Sequence, residues 1–169
     1  GVILQYLEFP HHTKLGHLQG VKRLRKGDGM WLDRFTVRNL EIVYPSHPDG
    51  TSLAECLDRT STPMGGRMLR RHLVMPLTDR AAIETRHAAV AALVSDTPLR
   101  AEIKEILCSV GDLERLASKA SSARINPREL VQLKRGLVAV INVADAAAGE
   151  EALLPTLERL SPCDTLLAR

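Results

Sequence analysis

The sequence predicts a mainly α protein, a helical bundle with a small N-terminal β element. Three observations carry that expectation. Helix-start signals recur after residue 52, apolar residues between them fall at helical spacing, and strand-like segments are confined to residues 17–44. With 169 residues, 44% of them apolar and 25% charged, the chain has the composition of one soluble domain, or of one and a small appendage. A chain of that size buries roughly 70% of the surface its unfolded form exposes, so its core needs no disulfide or metal.

Taken in order, Gly1 to Leu7 reads as the tail of a helix, and the missing initiator Met leads us to expect a piece of a longer chain. Between His17 and Tyr44, Gly27-Asp28-Gly29 lies between two mixed polar and apolar runs, the pattern of a short hairpin. Asp33 is placed to cap a brief helical turn, and Leu40–Tyr44 is expected as a third extended piece before Pro45, Pro48 and Gly50 break the chain into a loop. Thr62-Pro63, Thr97-Pro98 and Asn126-Pro127 then repeat one device, a capping side chain before a proline whose absent N–H costs nothing at the first helical position. Asp79 and Asp112 are expected to cap two further helices, and Glu129 completes a capping box with Asn126.

The apolar spacing matches those starts. Ile83, His87, Val90 and Val94 make one stripe; Leu99, Ile103, Ile106 and Val110 another; Leu113, Leu116, Ala117 and Ala120 a third. The longest runs from Leu130 through Leu133, Leu137, Val140 and Ile141 to Ala147, and Gly149 is expected to end it. A last amphipathic helix over Leu153, Leu154, Leu157 and Leu160 is interrupted by Ser161-Pro162.

Signals of catalysis are sparse. The chain has no Gly-x-x-x-x-Gly-Lys-Ser/Thr loop, no Gly-x-Gly-x-x-Gly and no His-Glu-x-x-His. His11, His12 and His17 crowd a loop-like stretch near only Glu8 and read as solvated polar residues, and His87 reads as a core-edge residue. Cys56, Cys108 and Cys163 stand far apart, which argues against a disulfide framework and against a zinc site, and Cys108 is expected to be buried. A net charge of +3 permits a nucleic-acid partner without requiring one. No apolar run approaches the roughly 20 residues that span a bilayer, so no membrane partner is expected, and the odd, widely spaced cysteines fit a reducing compartment, with the cytoplasm as the expectation. Two basic clusters remain, Lys22–Lys26 and Arg67/Arg70/Arg71. Arg67 suits an ion pair between packed helices, and Arg70 and Arg71 could make weak contacts to DNA backbone or to an interface. Gly65-Gly66 reads as close helix packing rather than as a phosphate cradle.

Leu32-Asp33-x-x-Thr36-x-Arg38-Asn39-Leu40-Glu41 is followed by Ser52-Leu53 and by Leu57-Asp58-Arg59-Thr60-x-Thr62-Pro63-Met64-Gly65-x-Arg67-x-Leu69-Arg70-Arg71. This series closely resembles the MutS family of DNA mismatch-recognition ATPases. Gly111-Asp112-Leu113-Glu114-Arg115 and Arg124-x-Asn126-Pro127-Arg128-Glu129-Leu130 resemble that family's next two landmarks, in the same order. His72, where the family commonly carries Trp, and the Pro-rich loop 44–50 depart from the pattern.

The resemblance implies a core or lever domain. Residues 1–16 would be the tail of a helix from a connector domain, 17–50 a small β/loop element, 51–148 the helical core, and 149–169 the start of a lever helix toward a clamp domain. It implies structural roles for Asp33, Arg38, Asn39, Glu41, Asp58, Arg59, Thr62, Pro63, Met64, Gly65 and Arg67, with Asp58 and Arg59 as polar staples around the turn at Pro63. It carries no catalytic residue, cofactor or metal onto this chain. ATP and Mg would be bound elsewhere in a homodimeric parent that holds mismatched duplex DNA through its other domains and acts with a downstream repair partner protein. The implied function is coupling between DNA-binding domains and an ATPase domain, and the alternative is a stand-alone helical nucleic-acid-binding or interaction module. If the helices from Asn126 onward are outgoing levers, Leu137, Val140, Ile141, Leu153 and Leu157 should be partly exposed.

Overall fold

The computed structural model describes residues 29–160, and the regular structure in that span is helical. In order come α1 (Arg34–Asn39), α2 (Leu53–Leu57), α3 (Pro63–Val74), α4 (Arg80–Ser95), α5 (Thr97–Cys108), α6 (Leu113–Ser121) and α7 (Pro127–Ala147). A 3-10 turn (Glu151–Leu153) and α8 (Leu154–Leu157) follow. At 1.5 Å per residue, the 21 residues of α7 extend about 32 Å.

Most of the helices start on the side chains that local chemistry designates. Asp33 accepts from Phe35 and Thr36 N–H, Thr62 from Gly65, Asp79 from Ala82, and Asn126 from Glu129. The start of α5 falls one residue before the expected Thr97. Asp96 accepts from Leu99 N–H at 2.9 Å, because a carboxylate outcompetes the hydroxyl and leaves Thr97 inside the first turn. Ser52 and Glu55 form a complete capping box on α2.

Leu40–Tyr44 is not the expected strand. Glu41 takes a left-handed φ of 50°, with its N–H on Arg38 O at 3.0 Å and the Ile42 N–H on Val37 O at 3.1 Å. Those two bonds define a Schellman turn that stops α1 and folds the chain back. Leu53 and Ala54 then donate to Glu41 and Ile42 carbonyls, burying Ile42, Ser52 and Ala54 together. Met30, in the expected hairpin's second arm, donates to Pro76 O at 2.7 Å, between α3 and α4. The hairpin's first arm and the Gly27-Asp28 part of its turn lie outside the described residues, as do the N-terminal histidines, the Lys22–Lys26 cluster and Cys163.

The bundle centres on α7, which packs against α5 and α6, while α4 lies on α5 and the 3-10 turn. Val110, Leu116, Ala139, Ala147 and Leu153 are buried in this part. Gly136 of α7 faces Leu113 so closely that a Cβ there would overlap the leucine's Cδ2. Several expected stripes are displaced. On α4, Val90 and Val94 are 60% and 62% exposed, and the half-buried side is that of Ala82, Ile83, Ala89, Ala92 and Leu93. The packed face is thus rotated from the expected stripe and keeps only Ile83 of it. His87, Ala117 and Leu130 are also exposed, and so is Cys108, at the solvent-facing end of α5. Leu153 is buried rather than exposed, since the 3-10 turn folds it under α4, whereas Leu137, Val140, Ile141 and Leu157 are half-buried as expected. The last helix is a single turn, because the chain enters it from the 3-10 turn with Pro155 in its first turn and no side-chain cap.

Candidate functional site: an arginine clamp between helices

Arg67 projects from α3 onto the start of α6. Its Nη1 and Nη2 donate to Asp112 Oδ2 and Oδ1 at 2.9 and 2.8 Å, a two-pronged match of guanidinium to carboxylate. Nε and Nη2 also donate to Glu114 Oε2, at 3.0 and 2.6 Å. One guanidinium thus holds two carboxylates from a segment 45 residues away in sequence. Asp112 serves twice, since it also caps α6 by accepting from Arg115 N–H at 3.2 Å. The ion pair with Arg67, then the capping bond, hold its carboxyl down to about 2, and the two carboxylates push the Arg67 guanidinium further up. A lysine could supply the charge but not the fork.

The loop before α3 is shaped for this clamp. Asp58 Oδ1 accepts from Thr60 Oγ1 at 2.6 Å and from Thr60 N–H at 3.1 Å, and these bonds, the hydroxyl first, hold its carboxyl below the usual range. A Cβ at Gly65 would come within 3.2 Å of the Thr60 Cβ, and one at Gly66 within 3.3 Å of Asp58 Oδ2, so glycine lets this loop press against the first turn of α3. Thr62 caps the helix and Pro63 opens it.

Of the other residues singled out from the sequence, Asp33 caps α1 and Glu41 forms the turn after it, its carboxylate accepting from Ser46 N–H at 3.0 Å. Arg38 and Asn39 are exposed at the end of α1, and Met64 is half-buried. Among the described residues, the one hydrogen bond of the Arg59 side chain is to the Asp58 carbonyl, next to it in sequence. Arg70 and Arg71 are exposed, and the Arg70 charge adds a smaller lowering to that which the Ser52 hydrogen bonds give the Glu55 carboxyl and the Thr60 hydrogen bonds give that of Asp58. The three-arginine face is therefore broken up, because Arg67 is engaged across the fold. Sequence reasoning missed Glu114, Ser52, Glu55 and Gly136. An acidic pair spaced Asp-x-Glu at a helix start was the available signal for Glu114. A second junction, Lys119 of α6 to Glu129 of α7 at 2.5 Å, ties the next helix pair.

Among the described residues no group of three or more His, Cys, Asp or Glu side chains is placed to hold a metal ion, and no helix is long and apolar enough to cross a membrane.

A continuous α scaffold with ion-clamped helix junctions defines a helical core module. The family model described as MutS domain III matches residues 35–168, and the chain belongs to that family. The DNA mismatch repair protein MutS of Cytophaga hutchinsonii is 40% identical over 171 residues, covering 100% of this chain and 20% of that protein. The corresponding protein of Flavobacterium psychrophilum is 37% identical over 98% of this chain and 19% of its own length. That of Phocaeicola vulgatus is 41% identical over 86% and 17%. The chain thus spans about a fifth of the length of the curated relatives it matches.

Proposed function

We propose that this chain is the lever part of a DNA mismatch-recognition protein, coupling the domains that hold mismatched duplex DNA to a distant ATPase domain. The single observation that carries this reading is the Arg67 clamp. It joins α3 to α6 through charge-assisted bonds rather than through interdigitated side chains, so the two helices are held in one orientation by a contact that can be exchanged for another. The long, capped α7 supports it by supplying a rigid arm on the same scaffold. In this reading Asp58, Thr62, Pro63 and Gly65 shape the loop that carries the clamp, Asp33 and Glu41 start and stop α1, and none of them takes part in chemistry. ATP and Mg belong to the parent's ATPase domain, and the parent acts as a homodimer with a downstream repair protein. The assignment of residues 1–16, 17–50, 51–148 and 149–169 to successive parts of that core follows the same reading.

The test uses the full-length protein. Arg67→Gln should leave mismatch affinity within about threefold and weaken the ATP-dependent release of mismatched duplex several-fold, which is the range of ordinary allosteric couplings. Unchanged ATP-dependent release would overturn the reading. The isolated 169-residue chain should bind duplex DNA weakly and without mismatch preference, and tight mismatch-selective binding would favour a stand-alone recognition module instead.

A further inference from the structure

A polar cleft of about 540 Å³ opens where the end of α5 meets α6 and α7, lined among others by Ser109, Gly111, Arg115, Gln132 and Arg135. Asp112 also lines it, but Arg67 forks both its carboxylate oxygens. The neighbouring acids are likewise engaged, Glu114 by Arg67 and Glu129 by Lys119. The Arg115 charge reaches Asp112 and Glu129. Even so, neither guanidinium, Arg115 or Arg135, makes a side-chain hydrogen bond or ion pair among the described residues. Two forked donors from two different helices therefore face one concavity, with a neutral amide and a hydroxyl beside them.

The cleft continues into an apolar groove of about 450 Å³ between α5 and α7, which shares Ser109 and Arg135 with it. Ile106, Val131, Val138 and Ala139 form the apolar part of that groove, and Val131 and Val138 are 50% and 41% exposed. We propose that this composite surface docks an amphipathic protein segment that lays an aliphatic row along the Ile106/Val131/Val138 groove and places a carboxylate between Arg115 and Arg135. The charge of the cleft fits an anion, and the aliphatic floor beside it fits a protein segment better than a phosphate backbone, which has no apolar group to bury there. The inference rests on the surface alone and stands apart from the lever reading.

The probe is a fluorescently labelled helical peptide with leucines at i and i+4 and glutamates beside them, compared with its glutamine counterpart and with a short duplex DNA, each titrated into the 169-residue chain at physiological salt. The glutamate peptide should bind about tenfold more tightly than the glutamine peptide. Arg115→Gln or Arg135→Gln should remove that preference while leaving the glutamine peptide's affinity unchanged, and Val138→Glu should weaken both peptides. Arg115→Glu with Arg135→Glu should transfer the preference to a lysine-bearing peptide. Because neither guanidinium has a side-chain hydrogen bond or ion pair among the described residues, the two single glutamine variants should melt within a degree or two of the parent chain. Absence of binding by either peptide, equal binding of both, or an arginine dependence greater for duplex DNA than for the glutamate peptide would overturn the proposal.

Discussion

The α6–α7 seam and the α3–α6 junction join neighbouring helices by opposite means. In the seam, Gly136 lets α7 come down onto Leu113, and Leu116 of α6 and Ala139 of α7 are buried, so shape and apolar burial specify the contact. At the junction, Arg67 and Glu114 remain exposed to solvent around a half-buried Asp112 and specify it by charge and direction. Apolar burial contributes free energy in proportion to area and tolerates little displacement. Exposed ion pairs contribute little net stability but fix orientation. The start of α6 is accordingly held by packing on the side it turns to α7 and oriented by charge on the side it turns to α3.

The largest expected effect is at the seam. Leu116, only 3% exposed, should lose about 3 kcal/mol on Leu116→Ala, read from urea unfolding followed by circular dichroism. A loss below about 0.5 kcal/mol would mean that the seam is not the core. Next comes Gly136→Leu, expected to cost about 2 kcal/mol by overpacking, with much of that recovered in the double variant Leu113→Ala/Gly136→Leu. Additive losses in that cycle would deny the direct contact.

A smaller effect of opposite sign is expected at the α6–α7 turn. Ala123 has φ 54°, and Ala123→Gly should stabilise the chain by about 1 kcal/mol because glycine adopts the left-handed region without the Cβ penalty. The smallest change in midpoint is expected at the junction. Arg67→Gln should barely move the denaturation midpoint at neutral pH, yet alter acid unfolding. Asp112 titrates lower in the folded chain, at about 2, than its ordinary 3.8, so its contribution is complete above about pH 4 and is lost as pH falls toward 2. Without Arg67 that part of the pH dependence should flatten. An unchanged acid limb would place the lowering of Asp112 in its capping bond instead.

Local chemistry determined much of this. Asp33, Thr62, Asp79, Asp112 and Asn126 were readable as caps because a capping bond spans only two or three residues and competes with little else. Arg67 was readable as an interhelical ion pair because its charge lies in a packed, glycine-rich turn. Its partners were not, since nothing local connects position 67 to 112 and 114. The strand expected at Leu40–Tyr44 failed for a related reason. A β-branched run between turn residues suits an extended segment, but Glu41 could take left-handed φ once its neighbours were held by α2, and Gly, the usual mark of such a turn, is missing there.

By itself the sequence determined where helices begin, the mainly α class, and the ordered motifs that place the chain in the MutS domain III family, because each depends on residues within a few positions of one another or on their order along the chain. Only the tertiary structure decided which side of each amphipathic helix is covered. On α4 two adjacent apolar stripes were available, and on α7 the small residues Gly136 and Ala139 rather than Leu130 and Val138 became the contact. Helical period defines a stripe, but the depth to which a neighbour can approach it depends on side-chain volume on both surfaces at once, and that exists only after the helices meet.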